Sequence, residues 1–347
     1  MSLLSPELRA EDLAACRAIL ARGSRSFRAA ALLLPRRVGK AAVALYAFCR
    51  IADDAIDNDG AAAALPLLRE RLARAYAGRP APVPTDRALA WVVAHHAIPR
   101  ALPEALLEGF AWDAEGRRYD TLAELTSYAA RVAGTVGAMM ALLMGVRDKA
   151  AIARACDLGI AMQFGNIARD VGEDARAGRL YLPRAWLRAE GIAPDAFVAS
   201  PAFSPALGRV VQRLLGEAEV LYARADAGIA ALPAACRPGI AAARLIYAEI
   251  GRRIERTGGD SVSARAVVPG GRKLALLARS TLHAARVRAA EAAPLAEARF
   301  LVDAVAGAPA PLRAASPPLW PALDARAEWL VALFLRLNAS EAMAREG

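Results

Sequence analysis

The chain has 347 residues, of which 56% are hydrophobic and 23% charged, and its formal net charge is +10. This composition provides material for a large core and excludes a disordered chain. No apolar run reaches the ~20 residues of a membrane-spanning helix, and the first residues lack the basic and then apolar order of a signal peptide. We therefore expect a cytoplasmic protein, with peripheral contact to the inner face of a membrane as its closest approach to lipid.

The positive charge comes almost entirely from arginine and is scattered along the chain. Nucleic-acid binding is typical of a clustered basic stripe or of basic residues interleaved with stacking aromatics, and neither is present. We predict no nucleic-acid partner, which leaves an anionic substrate or an anionic membrane surface. The cysteines Cys16, Cys49, Cys156 and Cys236 form no CxxC pair and predict reduced thiols.

The first chemically informative stretch is SRSF at residues 24–27, which follows a helix predicted over residues 6–22. Ser24 and Ser26 are good capping residues for the apolar run after them. With Arg25 between them, they could equally bind a phosphate at the amino end of that helix. Both interpretations are open at this point.

Residues 45–57, LYAFCRIADDAID, predict a mostly buried helix that carries acids. Asp53 and Asp57 lie one turn apart and form a first acidic face, with Arg50 about one turn earlier. A solvated face would have polar neighbours, whereas these acids adjoin apolar residues. Because an unpaired carboxylate in a low-dielectric site is costly, we expect these acids to bind a divalent cation.

The middle of the chain adds one further acid and a run of small residues. Asp113, in GFAWDAEGRRYDT, is a candidate partner for an arginine. Residues 128–144 predict a helix whose surface at Ala133, Gly134 and Gly137 carries little side chain. Such a surface lets another helix approach closely or leaves room for a long apolar ligand, and close packing is the commoner case.

A second acidic helix is predicted at residues 163–183, QFGNIARDVGEDARAGRLYLP. Asn166, Asp170 and Asp174 are spaced four residues apart and so form a second acidic face over two turns. Oxygen-only ligands suit hard cations such as Mg²⁺ or Mn²⁺, whereas zinc sites recruit His or Cys. Arginines flank this face, and metal together with arginine indicates a diphosphate ligand. The alternative is an exposed acidic face stabilised by ion pairs within the helix.

Helical patterning returns at residues 207–231 and 238–255, after a linker punctuated by prolines. Residues 307–321 are rich in Pro and Ala and precede an amphipathic helix. We predict two parts, a catalytic domain over residues 1–290 and a C-terminal helical extension over residues 291–347.

The two acidic stretches resemble the two aspartate-rich signatures of the squalene and phytoene synthase family. SRSF, YAARVAGTVGAMM from Tyr128 and DSVSARAVV from Asp260 fall in that family's order and at compatible intervals. The resemblance spans roughly residues 15–290, and within the family the sequence looks most like bacterial phytoene synthases. It implies an all-α, single-domain bundle of the isoprenoid-synthase type with a central cavity.

The resemblance also implies a reaction. Enzymes of this kind condense two geranylgeranyl diphosphates head to head, through a cyclopropyl diphosphate, to phytoene for carotenoid biosynthesis. They use Mg²⁺ or Mn²⁺, and no NADPH is expected. The partner implied is a prenyl diphosphate substrate, geranylgeranyl diphosphate, and the sequence does not identify which proteins it binds.

Three roles for individual residues follow from the resemblance. Metal binding falls to Asp53, Asp57, Asn166, Asp170 and Asp174. Diphosphate binding falls to Ser24, Arg25, Ser26, Arg50, Arg169, Arg179 and Arg265, which makes the phosphate interpretation of SRSF the favoured one. The ionisation site is shaped by Tyr128, Gln163 and Tyr247. Two departures, Gly23 in place of a histidine and Phe164-Gly165 in place of Leu-Thr, concern substrate positioning and leave the acidic faces intact.

Three rival interpretations share parts of this pattern. A C15-using relative, which makes dehydrosqualene or presqualene diphosphate, would carry every motif. A class I terpene cyclase typically has Ser or Thr and then Glu where this chain has Asp170 and Asp174. A non-catalytic family member, acting as an assembly factor, should have lost acids from the two faces, which are complete here.

Overall fold

The structure, a computed structural model, describes residues 8–23, 25–288, 290 and 292–308. Within these ranges it contains helices and no strand, which confirms the all-α prediction. The helices are α1 (Ala10–Gly23), α2 (Arg25–Ala31), α3 (Arg36–Asp59), α4 (Ala61–Tyr76), α5 (Pro84–His95), α6 (Ala101–Ala114), α7 (Leu122–Ala129), α8 (Thr135–Leu143), α9 (Lys149–Arg176), α10 (Arg184–Ala189), α11 (Pro194–Ala199), α12 (Pro205–Ala231), α13 (Arg237–Arg256), α14 (Gly270–Arg286) and α15 (Arg299–Ala306). A π-helical turn (Ala130–Gly134) joins α7 to α8, and a 3₁₀ turn (Ala296–Ala298) precedes α15.

The centre of the bundle is α9, which packs against α8, α12, α13 and the π-helical turn. Its sequence is apolar on most sides, and a helix of that kind is buried. Side-chain caps fix where the two longest central helices begin. Asp148 accepts a hydrogen bond from the Ala151 amide at 2.9 Å in α9, and Ser204 accepts one from the Leu207 amide at 3.1 Å in α12.

The small residues of α8 and the π-helical turn allow close contact with α9. A methyl group on Gly137 would collide with the Ala155 carbonyl, and one on Gly159 would collide with the Ala133 carbonyl. The predicted close packing is therefore confirmed. The segment is not one continuous helix, however, because the π-helical turn interrupts it; the Thr135 hydroxyl donates to the Arg131 carbonyl at 2.5 Å within this irregular stretch.

Residues 292–308, the first part of the predicted extension, pack onto the bundle. α15 contacts α6, α8 and α9, and its buried residues Leu301, Val302 and Val305 belong to the main core. The amphipathic helix predicted after the Pro/Ala-rich linker lies outside the described residues, as does nearly all of that linker. The division at residue 290 stays a prediction.

Two further expectations concern the membrane and the thiols. Across the helices that the structure describes, none combines the length and apolar character needed to cross a bilayer. The four cysteines are free, and Cys16, Cys156 and Cys236 are buried. The reduced state of these thiols stays a prediction.

Candidate active site

An apolar cavity of about 280 Å³ lies among α2, α3, α8, α9, α12 and α13. Its walls are mostly aliphatic and aromatic, as Phe27, Met140 and Leu158 illustrate, and α9 adds the polar side chains of Gln163 and Asn166. The predicted central cavity is confirmed. Its lining suits an apolar ligand that carries a polar group.

The helices α3 and α9 both line this cavity. Cys49 of α3 and Asn166 of α9 line the cavity, and the predicted acids follow one and two turns later toward the carboxyl end of each helix. There the Arg179 Nη2 atom lies 2.6 Å from the Asp57 Oδ1 atom. The positive charge of Arg179 also acts to lower the pKa values of Asp53 on α3 and Asp174 on α9, so this arginine lies between the two acidic faces. The two faces therefore come together around Arg179 at one end of the cavity, which we call the mouth.

Each described arginine side chain of the predicted diphosphate set pairs with an acid at the mouth. Arg50 pairs chiefly with the neighbouring Asp54, its Nη2 atom 2.5 Å from Asp54 Oδ1, and its Nη1 atom lies 3.4 Å from Asp53 Oδ2. Arg179 pairs with Asp57, as described above. Arg169 and Arg265 both bind Asp170, with each Nε atom 2.7 Å from its Oδ1 atom. Guanidinium groups placed in this way have donors in the fork geometry that phosphate oxygens also accept.

Burial and neighbouring charge separate the pKa values of these carboxyl groups. Burial, and then repulsion from Asp57, raises the pKa of Asp53 to about 6. Burial, and then repulsion from Asp170, raises the pKa of Asp174 to about 7. Burial also acts to raise the pKa of Asp170, but its two arginine bonds outweigh burial and lower that pKa. At Asp53 and Asp174, burial and repulsion from neighbouring carboxylates thus outweigh the attraction of the nearby arginines.

The donors at the mouth fit a divalent cation. Carboxylate and amide oxygens are the ligands of hard cations, and the raised pKa values mark desolvated acids whose negative charge is poorly balanced. In the part of the chain that the structure describes, no three acidic, histidine or cysteine side chains already converge around one point. Arginines hold several of these carboxylates instead, and metal binding by the two faces stays a prediction.

Beside the mouth lies a tyrosine cluster that the sequence did not reveal as a unit. Asp113 accepts hydrogen bonds from the Tyr128 and Tyr181 hydroxyls, each at 2.7 Å. The Tyr128 ring centroid lies 5.3 Å from those of both Tyr119 and Tyr181. Burial raises the pKa of Asp113 to about 6, against the lowering effect of the tyrosine bonds. The arginine expected beside Asp113 is replaced by two tyrosines. Tyr128 is buried in this cluster and is not among the residues that line the cavity.

The remaining predicted residues divide into two groups. Gln163 and Tyr247 line the cavity, as the prediction for an ionisation site requires. Ser24 lies outside the described residues, and Arg25 and Ser26 begin α2 with side chains that are also outside the description. Diphosphate binding by these three residues stays a prediction.

An apolar cavity enclosed by helices, with two acid-bearing helices meeting at its mouth, defines an isoprenoid-synthase-type helical fold. Within that class, the family model described as squalene/phytoene synthase matches residues 20–272. The chain belongs to the squalene/phytoene synthase family, and the resemblance drawn from the motifs is confirmed.

Individual relatives are consistent with this assignment. The chain is 53% identical to a phytoene synthase from Rhodobacter capsulatus, in an alignment that covers 85% of this chain and 90% of that relative. It is 52% identical to a phytoene synthase from Cereibacter sphaeroides, covering 86% of this chain and 88% of that relative. A solved dehydrosqualene synthase in complex with ligand superposes with a TM-score of 0.72 at 31% identity, covering 79% of this chain and 96% of that one.

Proposed function

We propose that this protein is a prenyltransferase that condenses two geranylgeranyl diphosphates head to head, through a cyclopropyl diphosphate, to phytoene for carotenoid biosynthesis. Its similarity to two bacterial phytoene synthases supports the choice of substrate and product. The observation that carries the proposal is the meeting of the two acidic faces, through Arg179 and Asp57, at the mouth of an apolar cavity.

The oxygen donors of the two faces would hold Mg²⁺ or Mn²⁺. They are Asp53, Asp57, Asn166, Asp170 and Asp174. A divalent ion, when bound, neutralises negative charge that develops on a departing diphosphate. The desolvated acids of this chain favour such an ion because it relieves their mutual repulsion.

The arginines at the mouth would bind the diphosphate groups. They are Arg50, Arg169, Arg179 and Arg265, and Ser24, Arg25 and Ser26 complete the proposed set. The four arginine side chains that the structure describes already lie within bonding distance of the acids. Exchange of a carboxylate oxygen for a phosphate oxygen keeps each guanidinium in a charge-assisted bond.

The cavity below the mouth would protect the prenyl cation from water. Its apolar walls exclude the nucleophile that would otherwise form an alcohol. The Tyr247 ring lines the same space, and an electron-rich ring stabilises positive charge nearby. Gln163 also faces the cavity, and its Oε1 atom accepts a bond from Asn166 Nδ2 at 3.4 Å. Tyr128 would act from outside the cavity lining, where Asp113 fixes its hydroxyl.

Product analysis tests this function. Purified protein is incubated with geranylgeranyl diphosphate and Mg²⁺, without NADPH, and the organic extract is examined by mass spectrometry. Phytoene is the expected product, since proton loss completes the reaction without a reductant. A higher kcat/KM for farnesyl diphosphate, with a C30 product, would assign the C15-using relative instead. No product from either substrate would favour a non-catalytic family member.

We further infer that one face of the protein docks on an anionic membrane. Residues 270–288, which include α14, contain four arginines, one lysine and no acidic residue, and of these arginines Arg272 is paired with Glu249 of α13. α14 buries Leu276 and Leu277 and exposes Arg279, Leu282 and Arg286, with Leu282 58% exposed. Basic side chains interspersed with exposed aliphatic ones are typical of peripheral attachment to anionic lipid.

Vesicle co-sedimentation tests this docking face. Vesicles containing phosphatidylglycerol should bind the protein at low salt, and vesicles of phosphatidylcholine alone should not, because attachment depends on charge. The double variant Arg279→Glu/Arg286→Glu should lose most of this binding. The matched control Arg17→Glu/Arg69→Glu makes the same charge change at exposed positions on α1 and α4 and should keep more of it. Equal losses in both variants would show that net charge, and not this face, determines attachment.

A further inference from the structure

One charged residue lines the cavity at the end far from the mouth. On α9 the lining residues run from Asn166 back to Ala151, roughly 22 Å along the axis at ~1.5 Å per residue. Arg154 belongs to this lining near the far end and is only 3% exposed. A buried guanidinium beside an otherwise apolar cavity requires partners that hold its charge.

Those partners are not among the residues that line the cavity. Its Nε atom forms an ion pair of 2.9 Å with the fully buried Asp157 Oδ2 atom. Arg224 binds the same oxygen at 2.9 Å, so two guanidinium groups share one carboxylate. The guanidinium group of Arg154 is thus bound by groups outside the cavity lining. We assign its contact with the cavity to the aliphatic part of the side chain.

Backbone carbonyls of the segment before α15 complete the arrangement. Arg154 Nη1 and Nη2 donate to the Ala292 and Ala293 carbonyls at 3.1 and 3.2 Å, and Arg224 Nη2 donates to the Ala293 carbonyl at 2.8 Å. This segment lies beyond the part of the chain that the family model matches. Through these hydrogen bonds, the segment before α15 is attached to Arg154 at the far end of the cavity.

Packing against α12 fixes the stem of Arg154 as well. A methyl group on Gly228 would collide with Arg154 Cβ, so the stem lies directly against the α12 backbone. A side chain held by a fully buried carboxylate and two carbonyls, with its stem against a helix, cannot turn aside without breaking its buried ion pair with Asp157. A flexible apolar side chain at the same place could yield to a ligand.

We propose that Arg154 forms the end wall of the prenyl-tail cavity and sets the longest chain that the protein accepts, an inference that rests on the function proposed above. A C20 tail ends before this wall, whereas a C25 tail would have to displace it. The buried network of Asp157, Arg224 and the two carbonyls makes that displacement costly. Arg154 is thus a specificity-determining residue that takes no part in the chemistry.

The experiment compares kcat/KM for C15, C20 and C25 prenyl diphosphates in folded variants of the full chain. Arg154→Ala should raise the ratio of kcat/KM for the C25 substrate to that for the C20 substrate at least tenfold. A hydrophobic pocket discriminates between substrates by about tenfold or more for each methylene that does not fit. Ala151→Leu, which fills the same end, should shift preference the other way and raise the C15-to-C20 ratio. Arg209→Ala is the matched control, because it removes an arginine–carboxylate pair, with Glu190, from α12 at a position outside both the cavity lining and the network that holds Arg154.

Three results would overturn the proposal. They are an unchanged C25-to-C20 ratio in folded Arg154→Ala, an equal change in Arg209→Ala, and an unchanged C15-to-C20 ratio in Ala151→Leu. If Arg154→Ala does not fold by circular dichroism, Arg154→Met takes its place with the same expected direction. Binding of unreactive C15, C20 and C25 thiolodiphosphates gives the same ratios without turnover. Wild-type protein that turns over no diphosphate but shows these binding ratios would therefore contradict the proposed function and support the end wall.

Discussion

The carboxyl groups at the mouth differ in charge although they share two helix faces. Asp170 has two guanidinium partners and a lowered pKa, whereas Asp174, one turn later, has a pKa of about 7. The difference arises from tertiary neighbours, because Arg265 reaches Asp170 from another part of the chain. The charge at the mouth is therefore set by which arginines are engaged there.

Asp113 provides a prediction about stability. Asp113→Ala leaves the Tyr128 and Tyr181 hydroxyls without their acceptor, and an unpaired buried hydroxyl costs about 1–3 kcal/mol. We expect the free energy of unfolding to fall by about 2–4 kcal/mol, measured by urea denaturation followed by circular dichroism. Tyr181→Phe removes only one donor and should cost about 1 kcal/mol. If Asp113→Ala proved as stable as Tyr181→Phe, the shared-acceptor arrangement would be wrong.

His96 provides a prediction about pH. Burial, followed by the charges of Arg37 and His95, lowers the pKa of His96 from 6.5 to about 4. Between these values the unfolded chain binds a proton at His96 that the folded protein does not. The stability due to neutral His96 is therefore complete above pH 6.5 and is lost as the pH falls toward 4.

The matching measurement is the melting temperature of wild type and His96→Gln across that pH range. Wild type should lose more stability than the variant on acidification, because the variant lacks the group that must take up the proton. Parallel pH profiles for the two proteins would contradict the lowered pKa.

At the scale of elements, the contact of α8 and the π-helical turn with α9 depends on glycine. Gly137→Ala and Gly159→Ala each place a methyl group on a backbone carbonyl, and we expect each to destabilise the fold by about 1–3 kcal/mol. Gly216→Ala is the matched control, since it lies on α12 with open space around it. It should stabilise the protein by about 0.5–1 kcal/mol in the same denaturation experiment. Equal effects at all three positions would show that these helices separate without cost.

The helices that carry the site could be predicted from the sequence, whereas several of their details could not. The apolar spacing around Asp53 and Asp170 is local, so it identifies α3 and α9 directly, although α9 ends at Arg176 and does not continue to residue 183 as predicted. The π-helical turn has no residue pattern of its own, and it interrupts residues 128–144, whose sequence predicts one helix. The tyrosines that bind Asp113 are 15 and 68 residues away from it, and no local pattern links residues at those separations.

At the scale of the whole molecule, the site depends on two distant helices meeting at one cavity. Spacing alone shows that each helix carries an acidic face, but not that both faces point to the same place. The family resemblance supplied that expectation, and the bond between Arg179 and Asp57 joins the carboxyl ends of α3 and α9 over 122 residues of sequence. The contact between Arg154 and Ala292 spans 138 residues and lies beyond the reach of sequence patterns for the same reason.

The most direct test of this account is the turnover of geranylgeranyl diphosphate with Mg²⁺ by Asp53→Asn, by Asp170→Asn and by the double variant, with circular dichroism to verify folding. Asp195→Asn, a highly exposed acid remote in sequence from both faces, serves as the control and should keep wild-type turnover. If the two faces act as one site, each single variant should lose about 10³-fold or more, and the double variant little beyond the worse single one. A folded Asp53→Asn or Asp170→Asn protein with wild-type turnover would contradict the account.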